Sequence, residues 1–182
     1  LTHHPWTLRT ELMMTEPTFT IRGATEDDYE GVHAILTSPH IMQGTLRVPL
    51  ASTDYSKGRL SAKNGVHQIV AVANDSEEIV GFGELITTPD EPRARHAGEI
   101  DLVAVGEEWQ SQGVGSALMD SMIDLADNWL DLKRLSLIAF VGNDRAIALY
   151  ERLGFEREGL MRRVGYGDGD WMDAVMMARL RD

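Results

Sequence analysis

The sequence predicts a mixed α/β fold, of the α+β kind, around one central sheet. Three observations carry this. Short apolar runs with the strand period of two recur along the chain, as in "TFTIRGA", "HQIVAVA" and "GEIDLVAV". Helical spacing alternates with them, most clearly after Val114. The chain has 182 residues with no repeat or low-complexity tract, a length that suits one core.

Taken in order, "TFTIRGA" (18–24) is the first strand. Residues 25–38 follow as a helix, with Thr25 as N-cap and Glu26, Asp27 and Asp28 complementing the dipole. "PHIMQGTLRVPLAS" (39–52) carries two prolines and apolar residues without a period, so it is expected to be a loop. Residues 54–64 form a weak second helix. "HQIVAVA" (67–73) and "EIVGFGELITT" (78–88) are strands joined by the turn "NDSE", and "GEIDLVAV" (98–105) is the fourth strand. From Val114, the apolar positions Ala117, Leu118, Met122, Leu125, Ala126 and Trp129 keep helical spacing, while Asp120, Asp124, Asp127 and Asp131 are expected to face water. "RLSLIAFV" (134–141) is the fifth strand. "NDRAIALYERLG" (143–154) is a helix with Asn143 as N-cap and Gly154 past its end. "GDGD" closes a final hairpin.

Composition narrows the function. The hydrophobic fraction is 43%, the charged fraction 25% and the formal net charge −12. That charge disfavours nonspecific nucleic-acid binding, which relies on Lys and Arg to neutralise phosphates. Cysteine is absent, which removes disulfides, thiolate metal sites and Cys nucleophiles, and a cytoplasmic location is expected. No apolar run reaches the roughly 20 residues that span a bilayer. His33, His40, His67 and His96 lack metal-ligand spacing, so no metal is expected. Residues 1–16 read as an extension ahead of a domain at 17–182, with Met13 or Met14 as a natural start.

The segment "QSQGVG" (110–115) lies between the fourth strand and the long helix. Glycines at a helix start let an anion approach the unpaired N–H groups there. Leu118 occupies the third position of the dinucleotide fingerprint, and no Gly-Lys-Ser/Thr comes after the turn, so neither common nucleotide motif fits. The pattern that fits is Q/R-x-x-G-x-G/A after an apolar strand, through Gln110, Gly113 and Gly115. Together with "EIDLVAV" before it and "VGNDRAIALYERLGFEREG" after it, this segment resembles the Gcn5-related N-acetyltransferase (GNAT) superfamily. "TLRVP", "DNWL" and "YGDGDWMDAVMMARL" are similar, more narrowly, to bacterial L-amino acid N-acetyltransferases.

The resemblance implies a mostly antiparallel sheet with splayed fourth and fifth strands, helices on both faces, and acetyl-CoA as co-substrate. It implies that the pyrophosphate rests on the backbone of Gln110, Ser111, Gln112, Gly113, Val114, Gly115 and Ser116. Pantetheine would run along Val103, Ala104 and Val105, with Asn143, Ala146 and Ile147 beside it. Because Gln110 and Gln112 are uncharged, the turn itself supplies no cation. Tyr150 matches the tyrosine that protonates the leaving thiolate. Glu99 is the first candidate for general base, then Asp101, which shares its face, and then Glu84 on the preceding strand. An α-amino group with pKa about 7.7–8.0 needs only a weak base. Met42, Gln43, Thr45, Leu46 and Val48 are expected at the acceptor.

The function expected is acetyl transfer to a primary amine of a small molecule, foremost the α-amine of an L-amino acid, by direct attack in a ternary complex. Other readings are acetylation of a protein N-terminus, a polyamine or an amine antibiotic, and a non-catalytic acyl-CoA-binding module. A homodimer is expected, because dimers are frequent in the family that the chain resembles.

Overall fold

Seven strands form one sheet in the order β1-β2-β3-β4-β5-β7-β6 in a computed structural model that describes residues 18–182. The extension expected at 1–16 lies outside the described residues. The strands are β1 (Phe19–Gly23), β2 (Val66–Ala73), β3 (Ile79–Thr87), β4 (Ala97–Val105), β5 (Arg134–Phe140), β6 (Glu156–Gly167) and β7 (Asp170–Leu180). All neighbours pair antiparallel except β4 and β5.

Helices cover both faces. On one side, α1 (Tyr29–Leu36) and α3 (Thr53–Leu60) pack Val32, Leu36 and Leu60 against Val70, Phe82, Leu102 and Ala104. On the other, α4 (Val114–Asp124) packs Met119 and Met122 against Leu85, Ile100, Leu135 and Leu137. Gly81 lets α4 come close, since a Cβ there would lie 2.8 Å from Val114 Cγ1. A short helix, α2 (Pro39–Gln43), stands inside the segment expected to be a loop. Pro39 at its first position is pre-set for helix, and the turn buries Ile41.

Several local signals act as their chemistry requires. Asp28 completes a capping box with Thr25 and pairs with Arg22 at 2.7 Å. Asn143 caps α5 (Asp144–Arg152) by accepting from the Ala146 N–H, and Gly154 comes after that helix at φ 87°. Asp168 and Gly169 both take positive φ in the last hairpin, as a two-residue turn of this kind demands.

The end of the long helix departs from its sequence period. After Asp124 the chain widens into a π turn over Leu125–Trp129, and the Leu130 N–H donates to the Leu125 carbonyl five residues back. The extra residue in that turn rotates the side chains around it. Trp129, expected to face the core, is 77% exposed. Asp127, expected to face water, turns inward and receives both Arg179 guanidinium nitrogens at 2.9 and 2.8 Å. Among the described residues, no helix is long and apolar enough to cross a membrane.

Two features of β4 shape the site. A bulge at Asp101 re-phases the strand, because Glu84 faces Leu102 while the next residue, Leu85, faces Ile100. Further on, β4 and β5 separate. They pair in parallel only at Ala97, Glu99 and the residue between them, opposite Arg134 to Ser136. Beyond that point, no pairing joins Ile100–Val105 to Leu137–Phe140. The sheet opens there as a wedge.

Candidate active site

A cleft of about 800 Å³ lies at the wide end of that wedge. Its walls are the glycine turn, the end of β4, the segment 140–143 and α5. Gly106 donates its N–H to Val80 on β3 at 2.9 Å. Backbone groups alternate sides along a strand, so Val103 and Val105 point theirs into the gap. His40, on α2, already donates from Nε2 to the Val105 carbonyl at 2.9 Å in one tautomer.

The glycine turn is built to receive an anion. Gly113 is the N-cap of α4 with φ 87°, a left-handed conformation that L residues rarely adopt. A Cβ there would meet nothing within 4 Å and would stand in open space. The first bond of the helix runs from the Ala117 N–H to the Gly113 carbonyl, and no side chain caps the start. The N–H groups of Val114, Gly115 and Ser116 are therefore available for a phosphate at the positive end of an 11-residue helix. A cation arrives from elsewhere in the chain. Arg145, in the first turn of α5, donates to Gln110 Oε1 at 2.9 Å and lines the cleft, as does Arg152. The positive charge that the turn lacks is thus supplied across the cleft.

Not every residue of the turn faces inward. Gln110, Ser111, Gly113, Gly115 and Ser116 line the cleft. Gln112 turns away and donates to the Glu108 carbonyl at 2.6 Å. Val114 is buried beneath the turn, Ala104 lies under the α1 face, and Ile147 packs in the main core. Val103, Val105, Asn143, Ala146 and Tyr150 all line the cleft.

A second chamber, of about 410 Å³, opens on the α3 side of the sheet. It shares Thr45, Val103, Phe140, Asn143, Ala146 and Tyr150 with the larger cleft, so the two meet across the gap between β4 and β5. Tyr150 stands at this junction. Burial pushes its phenol up to about 12, which keeps the O–H protonated and able to donate.

The three candidate carboxylates occupy different settings. Glu84 is 4% exposed and fully engaged: Oε1 receives Arg59 at 2.6 Å and Oε2 receives Gln68. Burial raises its pKa, against the pull of Gln68 and Arg59. Asp101 accepts from the same Arg59 nitrogen and lines the chamber. Glu99 also lines the chamber but has no hydrogen-bond or ion-pair partner among the described residues. Burial, and then the nearby charge of Asp101, raises its pKa. Of the three, Glu99 has the carboxylate free to accept a proton from an incoming amine.

Of the expected acceptor residues, Gln43 and Thr45 line the cleft, and Thr45 and Leu46 line the chamber. Met42 and Val48 line neither, and Val48 is exposed. Arg47, inside the "TLRVP" segment but not among the residues expected at the acceptor, and Arg59, which no motif singled out, do line the chamber. Arg59 lies on a helix of weak pattern, and Arg47 was hidden by its apolar neighbours Leu46 and Val48. Among the described residues, no group of three or more His, Asp or Glu side chains is placed to hold a metal.

The sheet is split at its centre and an uncapped helix start opens onto the split, an arrangement suited to a phosphate-bearing ligand. The chain belongs to the acetyltransferase (GNAT) family, whose model matches residues 32–155, and it is an N-acetyltransferase that uses acetyl-CoA as co-substrate. It is 36% identical over 161 residues to the L-amino acid N-acetyltransferase AaaT of Escherichia coli (strain K12), covering 88% of this chain and 97% of that protein. The phosphinothricin N-acetyltransferase of Alcaligenes faecalis is 25% identical over 88% of this chain and 81% of its own length. Among solved structures, a GNAT superfamily phosphinothricin acetyltransferase from Sinorhizobium meliloti, in complex with AcCoA, superposes with a TM-score of 0.78 at 23% identity. That match covers 90% of this chain and 88% of the other.

Proposed function

We propose that the protein acetylates the α-amine of a free L-amino acid or a close analogue. The carrying observation is the chamber of about 410 Å³ that meets the larger cleft at Tyr150 and holds the unpartnered carboxylate of Glu99. The likeness to a relative named for L-amino acids supports the same reading. Leu46, Ile138 and Val164 give the chamber an apolar wall suited to a neutral side chain.

In this reading, acetyl-CoA lies in the cleft with its thioester at the junction. The acceptor enters from the chamber as an ammonium ion, gives one proton to Glu99 directly or through water, and attacks the thioester carbonyl as the neutral amine; a second proton leaves the nitrogen once the C–N bond has formed and ends on the CoA sulfur. A tetrahedral oxyanion forms and is held by a β4 N–H facing the gap. Its collapse expels the CoA thiolate beside the Tyr150 O–H. Glu84 and Asp101 hold Arg59 and shape the chamber. The enzyme works as a cytoplasmic homodimer. Ile138 and Met176, paired on neighbouring strands and both exposed, offer an apolar strip for the second copy.

The test is thiol release from acetyl-CoA over free amino acids, peptides, polyamines and aminoglycosides. Turnover of free amino acids at least about tenfold above the other classes is expected. Activity confined to peptides or polyamines would refute the proposal.

A further inference from the structure

The chamber contains a charge that the transfer chemistry does not use. Arg47 reaches it from the segment between α2 and α3. Its Nε and Nη2 are buried and have no hydrogen-bond partner, and no ion pair holds its guanidinium among the described residues. Burial lowers its pKa, and repulsion from Arg59 adds to this, so the surroundings as they stand disfavour its charge. Asp101 and Glu84 attract it only from a distance, and Arg59 lies between these carboxylates and binds both. A guanidinium with two buried nitrogens left unpaired is costly and is ordinarily found against an anion.

That anion is not a phosphate of CoA. Arg47 is absent from the walls of the cleft that holds the glycine turn, and it lies on the acceptor side of the Tyr150 junction. The same chamber presents Glu99, a free carboxylate with a raised pKa, to an amine. One cationic fork and one proton acceptor in a small chamber match a molecule that carries a carboxylate beside its amine. A guanidinium binds a planar carboxylate through two parallel N–H···O bonds.

We propose that Arg47 is the α-carboxylate anchor of the acceptor site and restricts the enzyme to amines that bear a neighbouring carboxylate. The inference rests on the amino-acid reading of the chamber and adds the residue that enforces it. Polyamines and decarboxylated amines leave the guanidinium unpaired and are rejected for that reason.

The experiment compares three acceptors: L-leucine, or whichever free L-amino acid the enzyme acetylates fastest, its amide, and its decarboxylated amine. Wild type, Arg47→Gln and Arg47→Lys are each assayed for kcat and KM. Acetyl-CoA affinity and melting temperature check that each variant is folded. Wild type is expected to favour the amino acid over its amide by about 100-fold in kcat/KM. Arg47→Gln is expected to erase that preference through a rise in KM, with the amide changed less than about threefold. Arg47→Lys keeps the charge without the fork and falls between. An equal loss on amide and amino acid, or no loss on either, overturns the anchor while leaving the amino-acid reading in place. A wild-type enzyme that acetylates peptides or polyamines but no free amino acid overturns both.

Discussion

Replacing Tyr150 by Phe removes one oxygen and leaves the ring, which packs against Phe155 with centroids 6.1 Å apart. The fold therefore tolerates the change, and any loss reports on the hydroxyl. With its pKa at about 12, the phenol is protonated throughout the working range. A CoA thiol that behaves like free Cys has a pKa of about 8.5, so complete proton transfer from Tyr150 to the thiolate is uphill by about 5 kcal/mol. In the proposed mechanism Tyr150 then serves the leaving group as a hydrogen-bond donor, and the proton released by the amine restores neutrality. A hydrogen bond to a charged group contributes about 1.5–3 kcal/mol, which corresponds to about 10–150-fold in kcat. Thiol release at saturating acetyl-CoA measures this, with acetyl-CoA affinity and melting temperature as controls. Two results refute the reasoning. One is a loss below about threefold. The other is a wild-type rate that falls between pH 9 and 10 when the Phe variant does not, since that would place the phenol near its ordinary value.

Glu99→Gln tests the proton acceptor. The carboxylate must be ionised to work, so wild-type kcat/KM falls as pH drops through the Glu99 pKa, which burial and Asp101 hold above the ordinary 4.5. The variant loses that acidic limb, and its plateau falls by about 100-fold or more, within the range of general-base effects. A variant that keeps both limb and plateau shows that the base lies elsewhere. Gly113→Ala places a methyl at φ 87°, which costs about 1–2 kcal/mol and lowers the melting temperature by a few degrees. The methyl stands in the open space at the start of α4, so calorimetry is expected to show acetyl-CoA affinity reduced more than about tenfold. Gly115→Ala, whose Cβ meets Val105 and Leu149 at an ordinary 3.7 and 3.8 Å, is expected to change it little.

Strands and caps were readable in the sequence because their causes are local. Alternation along "HQIVAVA", the cap at Asn143 and the glycine after α5 each need only a few neighbouring residues. The glycine turn was readable for the same reason. What escaped depends on distance or on a change of period. The π turn at Leu125–Trp129 exchanged the expected faces of Trp129 and Asp127, because a fixed period cannot anticipate one added residue per turn. The cation beside the glycine turn is Arg145, 35 positions beyond Gln110 and brought next to it only by folding. The grip of Arg59 on Glu84 and Asp101, which separates those carboxylates from the unpaired Glu99, joins α3, β3 and β4 and leaves no mark in any one of them. Arg47 sat within "TLRVP" but was passed over for its apolar neighbours, of which only Leu46 reaches the acceptor chamber, because a charged side chain turned inward leaves no local pattern.

The most direct test is a crystal structure of the enzyme with CoA and an L-amino acid bound together. The account predicts pantetheine between β4 and β5, the sulfur within hydrogen-bond reach of the Tyr150 hydroxyl, and the amine in the chamber beside Glu99. An acceptor bound on the glycine-turn side of Tyr150, or a sulfur that does not approach its hydroxyl, would contradict it.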